Sequence, residues 1–364
     1  MKVRRAPREG KLVRIIQVSR AMTVGDAVSN QMASMHAIFQ RLGYDSQMYA
    51  DRIDPCVSSQ VRELSSLNPY EDSLLIYHFS TGTKVTARIL EHPYPVALYY
   101  HNITPAKFHF GNAWGSFFHS LQGRKQLANL ARKVVFAWAA SEYSRQELEI
   151  SGFRCTAVCP IIVDREKYQI PMVEALYRKY NDGRLNILFV GRMAPHKCQH
   201  DLIEVVYRYQ KKFGKGIRLL LVGASKRRYR AKLEKLIAGY DLRDVAILTG
   251  KVSLPELCTY YRVCDLFLSM SEHEGFGVPL IESMIFNKPV FAYSAAAVPE
   301  VVGKAGVLFA SKDFDAIVTM IHERAGDDSL ERERCQRLNA FCSDTVSRKL
   351  AADLHTIAAC IGKK

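Results

Sequence analysis

The sequence predicts an α/β fold made of two doubly wound parallel-sheet domains joined by a short linker. Three observations predict it. Short, continuously apolar strands alternate with helix-length segments, the pattern of a parallel sheet covered on both faces. The alternation comes as two series, one on each side of a polar stretch at residues 171–184. The chain has 364 residues, enough for two domains of ordinary size.

In the first series, 12–18 reads as a strand and 27–42 as a helix. Val28, Met32, Met35, Phe39 and Leu42 recur at three-to-four spacing, and Gly43 suits the C-cap. Residues 74–77, 96–100, 134–139 and 156–162 are further short buried strands, and helical stretches fill several gaps, notably 121–132. The second series begins near Leu185. Its strands are 187–190, 217–222, 245–248, 266–269 and 290–293, and its helices 201–213, 227–239, 254–262 and 278–286. The expected domains are therefore 1–170 and 185–364. Residues 171–184, with their Asn181-Asp182-Gly183 turn signal, form the linker, and the last helix is free to pack back on the first domain.

Hydrophobic residues make up 48% and charged residues 24%, which excludes a disordered or fibrous chain. The longest apolar runs fall far short of the ~20 residues that span a bilayer. The basic start leads into no apolar h-region, so no secretory signal is expected. Nine cysteines, an odd number without metal-site spacing, fit free thiols in a reducing cytoplasm. The net charge of +15 is spread along the chain and favours anionic partners.

Ligands of open α/β sheets sit outside the carboxyl ends of the strands. Two facing sheets would set two such ends across one cleft. The turns after Val18, Val190, Val222, Leu248 and Ser269 are thus where chemistry is expected. Neither a dinucleotide fingerprint nor a P-loop occurs. After the first strand come residues 19–26, where Gly25 sits beside a helix start and Asp26 is placed to cap it. Gly191-Arg192-Met193-Ala194-Pro195-His196-Lys197 sets two cations at a strand end that feeds a helix, which suits a pyrophosphate.

The most informative run is Ser271-Glu272-His273-Glu274-Gly275-Phe276-Gly277-Val278-Pro279-Leu280-Ile281-Glu282. Pro279 fits a first helical position, and the glycines let backbone approach a ligand. On one helix, eight positions would set Glu274 and Glu282 roughly 80° apart. The glycine turn breaks that helix, so both carboxylates can face one cleft.

With these residues assembled, the chain resembles the retaining nucleotide-sugar glycosyltransferases of family 4, whose GT-B fold has two Rossmann-like domains. The resemblance is specific over about 186–309, through GRMAPHK, EHEGFGVPLIE and KPVFAYSAAAVPEVVGKAGVLF. It is looser in the first half, through Gly25-Asp26, Tyr100-His101-Asn102 and the 140–144 run. It implies that Arg192 and Lys197 hold the donor diphosphate, Glu274 contacts the transferred sugar, and Glu282 contacts the ribose. It also implies that the amides of Gly275, Phe276, Gly277 and Val278 meet sugar and phosphate. Gly25 would approach the diphosphate, backbone around Lys251 and Val252 would meet the base, and His101 would face the sugar near the reacting carbon. The catalytic group so implied is Glu274, His101, Arg192 and Lys197. Retention follows if phosphate oxygens accept the acceptor proton on the same face; the other route makes Glu274 a nucleophile. One glycine stands where many relatives have two near Gly25, and Glu272 adds a third carboxylate close to Glu274.

The resemblance implies no cofactor and a GDP- or UDP-linked donor, with a lean towards mannose and towards surface-polysaccharide synthesis on a glycan or lipid-linked acceptor. No metal is expected: Asp313-Phe314-Asp315 has the letters of a metal motif but opens a helix, where capping explains it. The aromatic run 108–118, followed by Arg124, Lys125, Arg132 and Lys133, reads equally as core aromatics beside a solvated helix face or as a surface docking on an anionic membrane face, with Lys2, Arg4, Arg5, Arg8, Lys11 and Arg14 adding to the latter. The basic run 226–232 coats a helix or meets nucleic acid, the first being preferred. Rival readings are a non-catalytic basic lipid- or nucleic-acid-binding protein, which leaves the two glutamates unexplained, and an NDP-sugar epimerase or phosphorylase of the same fold.

Overall fold

The computed structural model describes residues 14–68 and 73–361. The basic positions 2–11 lie outside the described residues. The chain divides into two compact units. One takes residues up to 107, 114–162 and from 343 onward; the other takes 108–113 and 163–342. The divisions fall at Ile162/Val163 and at Cys342/Ser343.

In the first unit the strands are β1 (Arg14–Met22), β2 (Asp45–Ile53), β3 (Arg62–Glu63), β4 (Ser73–Phe79), β5 (Val96–Tyr100), β6 (Val134–Ala139) and β7 (Thr156–Val158). They form one sheet in the order β3-β2-β1-β4-β5-β6-β7, and every pairing is parallel. Helices α1 (Ala27–Arg41), α2 (Val85–Glu91), α3 (Trp114–Leu130) and α4 (Glu142–Ile150) connect them. Asp26 caps α1 as expected, its carboxylate accepting from the Ser29 amide at 3.1 Å. Helix α1 buries Met32, Met35, Ile38 and Phe39, the helical stripe visible in the sequence.

In the second unit, β8 (Leu185–Val190), β9 (Ile217–Val222), β10 (Ala246–Gly250), β11 (Leu266–Ser269), β12 (Val290–Tyr293) and β13 (Val307–Phe309) form a sheet ordered β10-β9-β8-β11-β12-β13. The helices are α5 (Glu174–Tyr180), α6 (Gln199–Phe213), α7 (Arg227–Gly239), α8 (Leu254–Val263), α9 (Val278–Ile285), α10 (Val298–Val302), α11 (Phe314–Arg324) and α12 (Glu331–Leu338). The last helix, α13 (Ser343–Ile361), belongs to the first unit. It buries Val346, Leu350, Leu354 and Ile357, and Asp353 accepts from the Trp138 indole of β6 at 2.7 Å.

Five local differences from these expectations stand out. Strand β1 runs on through Ser19–Met22, paired with β2 to its end, so the first turn starts at Thr23. Strand β7 stops at Val158, because Pro160 has no amide to continue the ladder. Helix α3 starts at Trp114, so part of the aromatic run is its first turn. Residues 174–180, inside the stretch read as a linker, form α5. Tyr180 is buried there, and Arg218 of β9, 2% exposed, donates to the Tyr180 carbonyl at 3.1 Å and to Asp182 at 2.5 Å. Strand β2 was not visible in the sequence because Asp45, Gln47, Asp51 and Arg52 interrupt its apolar pattern.

Among the described residues no helix is long and apolar enough to cross a membrane. No disulfide joins the described cysteines.

Candidate functional site

The loop after β11 turns into α9 at Gly277, whose φ of 97° is left-handed. That backbone conformation favours glycine, and a Cβ there would also push on Leu280 Cδ1 at 2.8 Å. Pro279 occupies the first turn of α9, and no side chain caps that end. The first amides of the helix therefore present a positive helix end. Phe276 is buried with its ring edge-on to Phe341 at 5.5 Å, which leaves only its backbone for a ligand.

The three carboxylates of this segment have separate partners. Glu274 Oε2 lies 2.5 Å from Lys197 Nζ, with the side chains 14% and 16% exposed. Glu272 is drawn elsewhere: Lys312 bridges it, at 2.9 Å, to Asp201, at 2.6 Å. Glu282 is buried and accepts from the hydroxyls of Tyr168 at 2.6 Å and Tyr261 at 2.7 Å. Burial, then the Glu282 charge, pushes both phenols far above their ordinary range, so they stay protonated donors. Neither tyrosine carries a signal in the sequence; both are found only by their contact with Glu282.

At the end of β8, Arg192 is exposed and Lys197 ends a single 3-10 turn, Pro195–Lys197. The buried amide of Gln199 braces this turn, accepting from the Ala194 amide at 3.3 Å and donating to the Arg192 carbonyl at 3.4 Å. Beside it, a Cβ on Gly223 would come within 2.1 Å of the Gly191 carbonyl oxygen. The strand ends of β8 and β9 touch backbone to backbone there, which only glycine allows. The Val222-Gly223 strand end was the signal in the sequence for it.

His196 is the buried middle residue of this turn. Burial first, then the charges of Lys197 and Arg192, hold its imidazole down at about 2. His109 is lowered by burial, then by Arg192 and Lys226; its ring lies 6.1 Å from His196. Arg192, Lys197 and Lys226 thus converge on two neutral imidazoles. Lys226, expected on a solvated helix face, and His109, from the aromatic run 108–118, thus join this group.

The remaining expected residues lie as follows. Lys251 and Val252 follow β10 in the turn before α8, Lys251 exposed and Val252 half-buried. Gly25 stands in the turn between β1 and α1 in the first unit. His101 follows β5 there, its Nε2 3.0 Å from His78 Nδ1, and His78 Nε2 is 2.9 Å from Gln17 Oε1. Asp313 caps α11, accepting from the amides of Asp315 and Ala316 at 3.1 Å, and Asp315 pairs with Arg208 at 3.2 Å. Cys198, His200 and Asp201 bring ligand atoms within 4.8 Å of one another. There the Lys312 ammonium already sits on Asp201, and burial pushes the Cys198 thiol up to about 11, both unfavourable to a cation.

Residues 173–339 match the family of glycosyl transferases group 1. The serotype-specific mannosyltransferase WbdA of Escherichia coli is 25% identical over 167 residues, 46% of this chain and 20% of that protein. The O-antigen chain mannosyltransferase B of Escherichia coli is 38% identical over 80 residues, 22% of this chain and 21% of that protein. The chain thus spans about a fifth of the length of these relatives. Among solved structures, Anabaena Alr3699/HepE in complex with UDP and glucose superposes with a TM-score of 0.73 at 18% identity, over 94% of this chain and 100% of that one. WaaG, a glycosyltransferase involved in lipopolysaccharide biosynthesis, superposes with a TM-score of 0.65 at 14% identity, over 93% and 99%. The fold is GT-B, with two Rossmann-like parallel sheets.

Proposed function

We propose, from a chain whose residues 173–339 belong to the glycosyl transferases group 1, a retaining glycosyltransferase. It moves a hexose from a nucleotide diphosphate sugar to a hydroxyl of a glycan or lipid-linked acceptor. The observation that carries this is the Lys197–Glu274 pair beside an uncapped helix end, with Arg192 and Lys226 alongside. Breaking a sugar–phosphate bond builds negative charge on the leaving diphosphate and positive charge on the anomeric carbon. Fixed cations and helix amides stabilise the first charge without reorganising. The Lys197 ammonium has three protons, so it keeps Glu274 and donates to a phosphate oxygen as well. Glu274, held by that ion pair, hydrogen-bonds sugar hydroxyls. A phosphate oxygen accepts the proton of the incoming hydroxyl on the face the diphosphate leaves, giving retention.

Arg192 and Lys197 supply the charge a divalent cation would otherwise bring, so we expect transfer without metal. Glu282, its two tyrosines and the backbone at Lys251 and Val252 are assigned to the nucleoside, and the proposal extends to His101 and Gly25 of the first unit. Mannose as the sugar and surface polysaccharide as the product are supported by the two mannosyltransferase relatives. A membrane-facing acceptor is supported by Trp114, Phe118 and Leu121, exposed at four- and seven-residue spacing on α3.

The test is a panel of GDP- and UDP-sugars, read by released diphosphate with lipid-linked acceptors, with the product anomer determined by NMR. Transfer with retained configuration in EDTA is expected. Donor hydrolysis alone, phosphate dependence or an inverted product overturns the reading. Activity lost in EDTA and restored by magnesium or manganese overturns the metal-independent form.

A further inference from the structure

The first unit carries a cavity of about 240 Å³ at the carboxyl ends of β1 and β4, whose lining residues have no ligand-binding role above. Its wall includes Arg20 and Arg52, with the hydroxyl-bearing residues Thr23, Ser80 and Thr81. Arg20 is there because β1 runs past Val18; Arg52 is there because β2 follows it, with Ala21 opposite Arg52 in register. Neither guanidinium has an ion pair or hydrogen bond among the described residues, nor do the three hydroxyls. The carboxylate on the rim, Asp26, is committed to the start of α1, accepting from the Ser29 amide and hydroxyl at 3.1 Å each. Tyr77 and His78 line it as well. They are neutral there, since burial raises the phenol and holds the imidazole at about 3.

We propose that this cavity binds a phosphate group carried by the acceptor, with Arg20 and Arg52 as the residues that recognise it. Two guanidiniums without a partner among the described residues, each a planar fork of donors, match the oxygens of a phosphate. Hydroxyl donors beside them complete its hydrogen bonds. The single carboxylate faces its own helix amide, so the field in the cavity is positive. The donor's diphosphate is already matched by Arg192, Lys197 and the α9 amides of the second unit. The inference deepens the proposed function by giving its acceptor a chemical class, and it rests on that reading for the word acceptor.

Inorganic phosphate is the probe. The full-length Lys197→Ala chain, which weakens the other anion site, is titrated with phosphate at constant ionic strength and followed by 31P NMR line broadening. Binding is expected to persist in that chain. It should weaken about tenfold or more when Arg20→Gln or Arg52→Gln is added, since each removes charge-assisted bonds, and to be largely kept by Arg20→Lys. Unchanged melting of each variant separates lost binding from lost fold. In the otherwise natural chain, Arg20→Gln and Arg52→Gln should leave GDP and UDP affinity unchanged and raise the acceptor KM. No phosphate binding in the Lys197→Ala chain, or equal binding with and without the arginines, overturns the site. Nucleotide affinity falling together with phosphate affinity shows that the cavity serves the donor, which overturns the assignment to the acceptor. If the chain transfers no sugar at all, the phosphate titration still reads, so the two failures are distinguishable.

Discussion

Lys197 and Glu274 form a closed ion pair, Nζ to Oε2 at 2.5 Å, joining the turn after β8 to the glycine loop before α9. Two segments 77 positions apart in sequence are thereby held as one electrostatic unit. Lys197→Ala and Glu274→Ala should each lower transfer by roughly a hundredfold, the scale of removing one preorganised charge-stabilising group. Neither should unfold the protein, because both side chains reach solvent. The double variant should lose less than the product of the single effects, as contacting residues do. Near-normal rates in both single variants would remove the site assignment.

Glu282 depends on Tyr168 and Tyr261. Tyr261→Phe should lower stability by about 1.5–3 kcal/mol, the scale of one hydrogen bond to a charged acceptor. Glu282→Leu should cost more, since it leaves the buried Tyr168 hydroxyl without its acceptor and Tyr261 only the Pro279 carbonyl at 3.4 Å. Urea denaturation read by fluorescence checks both. Equal midpoints for Tyr261→Phe and the natural chain would mean that the hydroxyl does not hold the carboxylate in solution.

Stability should fall as pH drops below about 6.5. His196 is held down at about 2 by burial and then by Lys197 and Arg192, and His78 at about 3 by burial. The unfolded chain takes up a proton on each imidazole below its ordinary pKa of about 6.5, while the folded chain does not. Each group therefore contributes stability that is present above that pH and lost towards acid. The slope is up to ~1.4 kcal/mol per pH unit per histidine. Urea midpoints at pH 7, 6 and 5 should show His196→Gln with a shallower slope than the natural chain; equal slopes count against the buried neutral imidazole.

Residues 174–184 should resist proteolysis. Arg218 ties the Tyr180 carbonyl, Asp182 and Asn186 together from the sheet, and its ring-stacked guanidinium lies 5.0 Å from Tyr180. Arg218→Ala, which leaves Asp182 only its partly exposed Arg184 partner at 2.7 Å, should cost about 1–3 kcal/mol for the lost buried hydrogen bonds and open this stretch to limited trypsin or chymotrypsin digestion. A natural chain cut here as readily as the variant would restore the linker reading.

Trp114→Ser combined with Phe118→Ser should reduce cosedimentation with anionic vesicles at low salt, because two large exposed apolar side chains are lost from one face of α3. The flanking cations contribute less than their number implies. Arg124 pairs with Glu147 at 2.9 Å, and Lys133 donates to the His92 carbonyl at 2.5 Å. No cosedimentation by the natural chain would end the membrane reading.

What the sequence determined by itself was whatever repeats locally or is read from a short motif. Continuous apolar strands and helical stripes marked both parallel sheets, with Val96–Tyr100, Val134–Ala139, Ile217–Val222 and Leu266–Ser269 legible to the residue. The Asp26 and Asp313 caps and the glycine turn before Pro279 were legible as well, since each depends on neighbours within a few positions. The tertiary structure alone decided which charge meets which. It separates Glu274 from Glu272, giving one Lys197 and the other Lys312. It seats Glu282 between Tyr168 and Tyr261, and it brings His109 and Lys226 beside Arg192. Such pairings depend on distance and burial, which a one-dimensional pattern of residue types does not encode. For the same reason a stretch with linker composition became a packed helix once Arg218, from another strand, supplied its partners.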